Sequence, residues 1–175
     1  MHKKAWLLAS LLALAISGHV AAQSSSPSQD PDAEGKHVFR KANCMGCHKW
    51  DGSGGGGYGG AALSLRATQL TPDQIIHTVE CGRPGTGMPY HMRGAYDDPA
   101  KPCDGLTRAD LGKDMPPEPP VTYLRLPEIK AVVAYIIDHV KGKGTTTLVD
   151  CLDFWGSDSR VCNIYREKTQ EKDKN

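Results

Sequence analysis

Residues 44–48 of the chain read Cys44-Met45-Gly46-Cys47-His48, a C-x-x-C-H motif. In such a motif the two thiols lie on one side of a turn, at the separation of the two vinyl groups of a haem. Each thiol can then add to one vinyl group and form a thioether. The imidazole of His48 follows directly and can ligate iron, while its second ring nitrogen donates to a carbonyl group. The motif therefore predicts one covalently bound haem c, held by Cys44 and Cys47, with His48 as an iron ligand.

Two other kinds of site use paired cysteines. A redox-active dithiol of the thioredoxin type usually accompanies a βαβ pattern, and strand signals in this chain are weak. A structural zinc site needs paired C-x-x-C and H-x-x-x-H spacings, which the sequence lacks. Haem attachment is therefore the favoured interpretation of the motif.

The first residues are typical of an export signal. Lys3 and Lys4 form a basic start, residues 5–16 are almost entirely apolar, and Val20-Ala21-Ala22 places small residues at a cleavage site. The apolar run is shorter than the roughly 20 residues that a membrane span requires, which favours a cleaved signal peptide over an uncleaved anchor. We therefore expect residues 1–22 to be removed, the protein to lie in the periplasm, and no stable membrane insertion.

Charge and length narrow the classes of protein further. The chain has 175 residues, with 21 Lys and Arg against 20 Asp and Glu. Removal of the signal peptide takes away Lys3 and Lys4, which leaves a nearly balanced chain whose basic residues are scattered. A nucleic-acid partner is excluded on this ground, since it requires a basic face. The length fits one domain with tails, and a monomer is the default for this size.

Three segments have the sequence pattern of helices, and the fold class they predict is all-α. Residues 32–43 form the first. Thr71-Pro72-Asp73-Gln74 starts the second, because Thr71 can cap it, Pro72 suits the first position and Gln74 can complete a capping box. Pro127 opens the third, and an apolar stripe at helical spacing follows it: Ile129, Val132, Val133, Ile136, Ile137 and Val140.

The remaining segments have the composition of loops and tails. Residues 23–31 read as a flexible leader and residues 166–175 as a disordered tail. Residues 51–60 are so rich in glycine that we expect a loop lying close against a flat cofactor. Residues 83–126 are rich in Pro, Gly and Asp and are expected to form a long loop, with one helical turn at 107–111.

This organisation predicts a cytochrome-sized core domain at residues 32–146, followed by a C-terminal extension and tail at residues 147–175. Four cysteines lie outside the haem motif: Cys81, Cys103, Cys151 and Cys162. An even number in an exported protein indicates two disulfides with three possible connectivities. Proximity in the sequence favours Cys81–Cys103 and Cys151–Cys162.

The second axial ligand of the iron is expected to be a methionine. Met88 and Met115 are each followed by proline, which fixes the backbone after the ligand. Met45 lies inside the haem motif and cannot reach across the haem, and Met92 has no supporting context. A methionine ligand raises the reduction potential and suits electron transfer.

At this point the sequence resembles the class I c-type cytochromes of the bacterial soluble kind, over residues 33–142. The resemblance rests on C-x-x-C-H after a first helix, on the glycine-rich loop, and on Gly82-Arg-Pro-Gly-Thr-Gly-Met88 after the Thr71 helix. Gly35 and Phe39 match the contact positions of the family's first helix, and Ala134-Tyr135 matches those of its last helix. The resemblance implies a class I cytochrome c fold and assigns Met88 as the sixth ligand in preference to Met115.

The chain departs from the family pattern at three places. An insertion of residues 90–125 follows the Met88 loop, and it is the reason that a second Met-Pro exists. Gly60-Ala61-Ala62-Leu63 replaces the usual Gly-Pro-x-Leu, so that a carbonyl near Gly60 or Ala61 is the candidate for orienting His48. The C-terminal extension with its cysteine pair is also additional.

The resemblance implies an electron carrier and not an enzyme. Its partners would be redox proteins, namely a dehydrogenase donor, a terminal oxidase acceptor or both. One alternative is a dedicated electron acceptor of a periplasmic quinoprotein (PQQ) alcohol dehydrogenase, since loops such as the insertion carry recognition. A lesser alternative is a haem enzyme or gas sensor with an open iron site.

A few other residues are candidates for contacts with the haem. Trp50, Tyr58 and Arg83 could contact the haem or its propionates, although each could equally pack or face solvent. His91 is a weak rival ligand because it is close to Met88 in the sequence. His77 and His139 are expected to be ordinary surface residues.

Overall fold

The computed structural model describes residues 31–56, 62–100 and 103–172. The described residues form seven α-helices, whose bounds are α1 Pro31–Lys41, α2 Cys44–His48, α3 Pro72–Cys81, α4 Arg108–Leu111, α5 Leu126–Tyr135, α6 Leu148–Trp155 and α7 Asn163–Lys172. Helix α5 continues as a π-helical turn, Ile136–Val140, and short 3₁₀ turns occupy Gly112–Asp114 and Arg160–Cys162. Within the described ranges there is no strand, only an isolated parallel bridge between Met92 and Leu124. The predicted all-α class is confirmed.

The predicted signal peptide, residues 1–22, lies outside the described residues. Of the predicted leader, residues 23–31, only Pro31 is described, and it begins α1. The boundary between a core domain and an extension at residues 146 and 147 stays a prediction.

Helices α1 and α5 cross at Gly35, where the two backbones are in direct contact. A Cβ at Gly35 would lie 2.4 Å from the carbonyl oxygen of Ala131 and 2.5 Å from Cβ of Tyr135. One turn further along α1, the ring of Phe39 packs 5.9 Å from that of Tyr135. The sequence prediction that Gly35 and Phe39 meet the last helix is confirmed at Tyr135, with Ala131 as the neighbouring contact. The crossing needs glycine because there is no room for a side chain.

The apolar stripe of α5 forms the centre of the main hydrophobic core, which we call the first core. Ile129, Val132, Val133, Ile136 and Val140 are all buried, and Ile137 packs at the edge. The helix begins one residue before Pro127, which therefore occupies an early position where its missing N–H costs no hydrogen bond. Val38 and Phe39 of α1, Ile75 and Val79 of α3 and Phe154 of α6 complete the first core.

Helix α3 begins as the sequence predicts. The hydroxyl of Thr71 accepts from the amide of Gln74, and the side chain of Gln74 accepts from the amide of Thr71. Gly82 ends the helix with φ 67°, a left-handed conformation that favours glycine. The helix therefore delivers the chain to residues 82–89, the predicted ligand loop, from a well-defined end.

The insertion, residues 90–125, is folded around a hydrophobic cluster of its own, which we call the second core. Its buried members are Cys81, Tyr90, Ala95, Tyr96 and Cys103. Cys81 and Cys103 form a disulfide, in the pairing that sequence proximity favours. The long loop that composition predicted is thus ordered by side chains and a covalent link, while the turn predicted at 107–111 is helix α4, capped by Thr107.

The C-terminal extension packs against α1 through helix α6. Phe154 is 2% exposed and belongs to the first core, and Lys36 of α1 donates to the carbonyl of Asp153 at 2.7 Å. Cys151 and Cys162 form the second predicted disulfide.

The prediction of a disordered tail at residues 166–175 is wrong as far as Lys172, where α7 ends. Arg166 ties the start of this helix to the preceding turn, because its guanidinium donates to the carbonyls of Ser157 and Ser159 and to the side chain of Asn163. Tyr165 also packs on Trp50, with ring centroids 6.0 Å apart. Charged composition suggested disorder, whereas contacts with distant residues stabilise a helix. Residues 173–175 lie outside the described part of the chain.

Candidate haem site

The C-x-x-C-H motif forms the short helix α2, separated from α1 by a sharp turn at Asn43. Asn43 has φ 60°, in the left-handed region that asparagine tolerates better than most residues. A Cβ at Gly46 would lie 2.7 Å from the side chain of Asn43, so the turn packs closely against the motif. The helical turn places Cys44 and Cys47 three residues apart and therefore on one face.

Cys44 and Cys47 are the cysteines of the described residues that form no disulfide. Burial raises the pKa of the Cys44 thiol to about 12. Reactive C-x-x-C pairs instead have a depressed thiol pKa that favours thiolate. The environment of Cys44 therefore does not support the redox-dithiol interpretation, and two unpaired thiols on one face suit thioether attachment.

The ring of His48 is oriented by a backbone carbonyl. Its Nδ1 donates to the carbonyl oxygen of Leu63 at 2.9 Å, which leaves the lone pair on Nε2 for a metal. Burial lowers the pKa of His48, and the positive charge of Arg83 lowers it further against the opposing effect of the Leu63 hydrogen bond. The imidazole is therefore neutral near pH 7, the form that ligates iron.

Leu63 corrects the sequence interpretation, which placed the orienting carbonyl near Gly60 or Ala61. Ala61 and Gly60 lie outside the described residues, and the carbonyl that the structure brings to His48 is two residues beyond Ala61. No residue-type signal could have found it, because every residue has a carbonyl and only the path of the loop selects one.

The glycine-rich loop returns onto the motif through its backbone. The amide of Gly54 donates to the carbonyl of His48 at 3.0 Å, and the amide of Gly56 donates to that of Cys47 at 3.1 Å. A Cβ at Gly56 would lie 2.7 Å from the carbonyl oxygen of Cys47. Glycine is therefore required here for close approach to the motif. Tyr58, a candidate haem contact, lies outside the described residues.

Four methionines lie in the described residues, and three of them pack into a core. Met45 packs against the first core, whereas Met92 and Met115 pack against the second. Met88 is half-buried and is a member of neither core. Its carbonyl accepts from the amide of Arg83 at 3.2 Å, and the charge of Arg83 lowers the pKa of His48. Among the described methionines, Met88 is therefore the one that neither core holds.

Other candidates from the sequence are in packing or polar contacts. Trp50 packs 5.6 Å from the ring of Phe154. His139 pairs with Asp32 at 3.1 Å and stacks on Tyr135, and His77 lies 3.4 Å from Asp104. His91 is buried, and burial lowers its pKa. Its role as a rival ligand stays a prediction.

The residues present therefore fit a covalent haem. They offer two unpaired thiols one helical turn apart, an imidazole held through Nδ1, and a glycine backbone closely packed against the motif. Nowhere in residues 31–56, 62–100 and 103–172 do three or more His, Cys, Asp or Glu side chains cluster as a metal site. The same ranges contain no helix that is long and apolar enough to span a membrane.

Comparison with protein families shows that residues 30–102 match the family described as cytochrome C oxidase, cbb3-type, subunit III. The matched segment contains α1, the haem motif, α3 and Met88, and it ends inside the insertion before Cys103. Searches of curated proteins and of solved structures gave no significant match.

Proposed function

Because the chain is a class I c-type cytochrome, a haem-binding protein of electron transfer, we propose that it is an exported single-haem electron carrier whose iron is ligated by His48 and Met88. The observation that carries this proposal is the hydrogen bond from Nδ1 of His48 to Leu63, which presents Nε2 of a neutral imidazole beside two unpaired thiols. A bound haem c would supply a one-electron couple at its iron.

Each part of the site has a distinct task in this proposal. Cys44 and Cys47 would hold the haem covalently by thioether bonds. The carbonyl of Leu63 fixes the tautomer and the direction of His48. Residues 54–56 close over the motif with backbone amides alone and so keep bulky side chains away.

Met88 is proposed as the sixth ligand in preference to Met115. Met115 packs against the second core, where a methionine serves as an adaptable apolar side chain. Met88 belongs to neither core and lies inside the family match, whereas Met115 lies outside that match. Met88 also shares a loop with Arg83, whose charge lowers the pKa of His48. If His48 and Met88 both held the iron, electron transfer would be favoured over an open-site enzyme or a gas sensor.

The test is the optical spectrum of the purified ferric protein, together with its intact mass. We expect a mass that exceeds that of the chain without residues 1–22 by one haem, and a weak far-red band from a bond between methionine sulfur and iron. Met88→Ala is expected to abolish the band, whereas Met115→Ala is expected to keep it. A high-spin ferric spectrum without the band would reject the carrier proposal and favour small-ligand binding or catalysis.

The proposed partners are redox proteins, and the insertion bears on which ones. The described residues of the insertion, 90–100 and 103–125, pack around the second core beside the Met88 loop. Because loops often carry recognition, the insertion supports the narrower proposal of a dedicated electron acceptor of a quinoprotein alcohol dehydrogenase. Stopped-flow reduction by such an enzyme tests this narrower hypothesis. Reduction no faster than by an unrelated donor of similar potential would reject it and leave the general carrier.

A further inference from the structure

The ligand loop, residues 82–89, is anchored at both ends in the second core. It leaves α3 at Cys81, which is 3% exposed, and it ends at Tyr90, which is fully buried. Both residues belong to the buried cluster that the insertion completes. The position of Met88 therefore depends on a part of the molecule that contains none of the haem-attaching residues.

Backbone hydrogen bonds fasten the loop to itself and to the insertion. The amide of Arg83 donates to the carbonyl of Met88 at 3.2 Å and closes the loop across its base. The amide of Gly85 donates to the carbonyl of Asp114 at 2.7 Å, and the amide of Tyr90 donates to that of Pro117 at 3.2 Å. The base is also tightly packed, because a Cβ at Gly82 would lie 2.7 Å from the carbonyl oxygen of Met88.

The Cys81–Cys103 disulfide joins the start of the loop to the insertion. Its two cysteines are 3% and 2% exposed, with a sequence separation of 22 residues. The hydroxyl of Tyr96 donates to the carbonyl of Cys81 at 2.5 Å within the same buried cluster. The covalent link and this hydrogen bond act on one residue, the last of α3, immediately before the loop.

We propose that the insertion is a brace for the ligand loop, and that Cys81 and Cys103 are positioning residues that keep Met88 at the iron. This inference rests on the proposed function, since it takes Met88 as the ligand. A thioether is a neutral ligand without a charge attraction to iron. The fraction of the protein with sulfur bound to iron therefore depends on the entropy cost of ordering the loop, and a smaller cost favours binding. A loop held at both ends and along one side is already ordered.

The test compares two disulfide deletions in the ferric holoprotein. Cys81→Ala/Cys103→Ala removes the brace, and Cys151→Ala/Cys162→Ala is the matched control, because it removes the disulfide of the C-terminal extension. The readout is the pH at which the far-red band is half lost on alkaline titration. We expect the brace variant to lose the band at least about one pH unit earlier, which corresponds to a roughly tenfold weaker closure of the loop. The control is expected to stay within about 0.2 unit of wild type.

Hydrogen exchange at residues 82–90 keeps the test independent of the identity of the ligand. The amides of Arg83, Gly85 and Tyr90 are expected to exchange faster in the brace variant and not in the control. If Met88→Ala keeps the band, the proposed ligand is wrong, while faster exchange would still establish a brace for the loop. Equal midpoints and equal exchange in both deletion variants would overturn the brace.

A milder variant covers the case in which the double deletion does not fold. Tyr96→Phe keeps the disulfide and removes the hydrogen bond to the carbonyl of Cys81. A smaller shift of the alkaline midpoint in the same direction is expected, with faster exchange at Arg83. An unchanged midpoint with unchanged exchange in Tyr96→Phe would count against the brace.

Discussion

The insertion, residues 90–125, and the C-terminal extension, residues 147–172, are each closed by a disulfide, yet they join the molecule in different ways. The insertion builds the second core and fastens the loop that carries Met88. The extension places Phe154 in the first core and packs on Trp50, two residues beyond His48. The insertion lies beside the proposed sixth ligand, whereas the extension adds packing to the first core next to the haem motif.

This contrast indicates that a disulfide by itself does not tell what an added segment does. Cys151–Cys162 closes a short stretch of chain whose main contribution is apolar surface in the first core. Cys81–Cys103 links the end of α3 to the insertion, which follows the ligand loop in the sequence. We therefore expect substitutions in the core of the extension to lower global stability, and substitutions in the insertion to change the environment of Met88.

The largest effect is expected from Phe154→Ala. Phe154 is 2% exposed and packs on Phe39 and Trp50, so its truncation should lower the free energy of unfolding by about 3–5 kcal/mol. The far-red band should persist at neutral pH while the protein remains folded. Urea unfolding followed by circular dichroism measures the loss, and Ile164→Ala, at an exposed position of the same extension, should change stability by less than about 0.5 kcal/mol. Loss of the band in folded Phe154→Ala would show that the extension also affects the environment of Met88.

Acid should weaken the contact between helices α1 and α5. Glu128 of α5 accepts from Lys41 of α1 at 2.5 Å and from the amide of Arg125 at 2.8 Å. These bonds, with that to Lys41 foremost, lower the pKa of Glu128 from 4.5 to about 2. The stabilisation is complete above pH 4.5 and is lost as the pH falls towards 2. Because Lys41 and Arg125 are exposed, we expect a loss of about 1–2 kcal/mol.

Urea unfolding at about pH 6, 4 and 2.5, which span the ordinary pKa of 4.5 and approach the shifted one, measures this loss. Glu128→Gln should be less stable than wild type at pH 6 and should lose less on acidification. If wild type and Glu128→Gln respond equally to acid, Glu128 does not carry the effect.

Tyr90→Phe tests the polar edge of the second core. The hydroxyl of Tyr90 accepts from Arg108 at 2.7 Å and donates to Glu118 at 3.1 Å. Its removal should cost about 1 kcal/mol and should speed hydrogen exchange at Gly85 and Tyr90 more than elsewhere. Tyr165→Phe is the counterpart in the extension, and its exchange pattern in the ligand loop should match wild type. Uniform faster exchange throughout the chain would show that the second core is not a local unit.

The smallest effects are expected from a matched pair of helix caps. Thr107 caps α4 in the insertion, and Thr147 caps α6 in the extension, each with an aspartate that completes a capping box. Thr107→Ala and Thr147→Ala should each cost about 0.5–1 kcal/mol. The alkaline midpoint of the far-red band should fall slightly for Thr107→Ala and stay unchanged for Thr147→Ala. The reverse pattern would assign the extension, and not the insertion, to the support of Met88.

Features that depend on neighbouring residues could be predicted from the sequence. The haem motif, the capping box at Thr71 and the apolar stripe of α5 are all encoded by residue type at fixed short spacings, whereas the contact of Gly35 with the last helix came from the resemblance. Both disulfides followed the same logic, because each joins cysteines that are close in the chain. Met88 as the ligand came from the resemblance and remains a proposal.

Features that depend on contacts between distant segments could not be predicted. The insertion has no periodicity, so its composition indicated a loop, although Tyr90, Tyr96 and a disulfide give it a core. The tail has the charge of a disordered segment, yet it continues α7 as far as Lys172, and Tyr165, the residue before the tail, packs on Trp50. The insertion is stabilised by burial of side chains that are spaced irregularly along the chain, and α7 by the contact of Tyr165 with Trp50, and local composition reports neither.

The sequence alone thus determined the chemistry of attachment, through two cysteines and a histidine at a spacing that matches a haem, and the helices that flank them. Tertiary structure alone decided which carbonyl orients His48, which core holds each end of the Met88 loop, and where Phe154 is buried. The physical reason is that side-chain type encodes reactivity and helical periodicity over a few residues. The path of a loop instead depends on packing and on backbone hydrogen bonds, which every residue type can make.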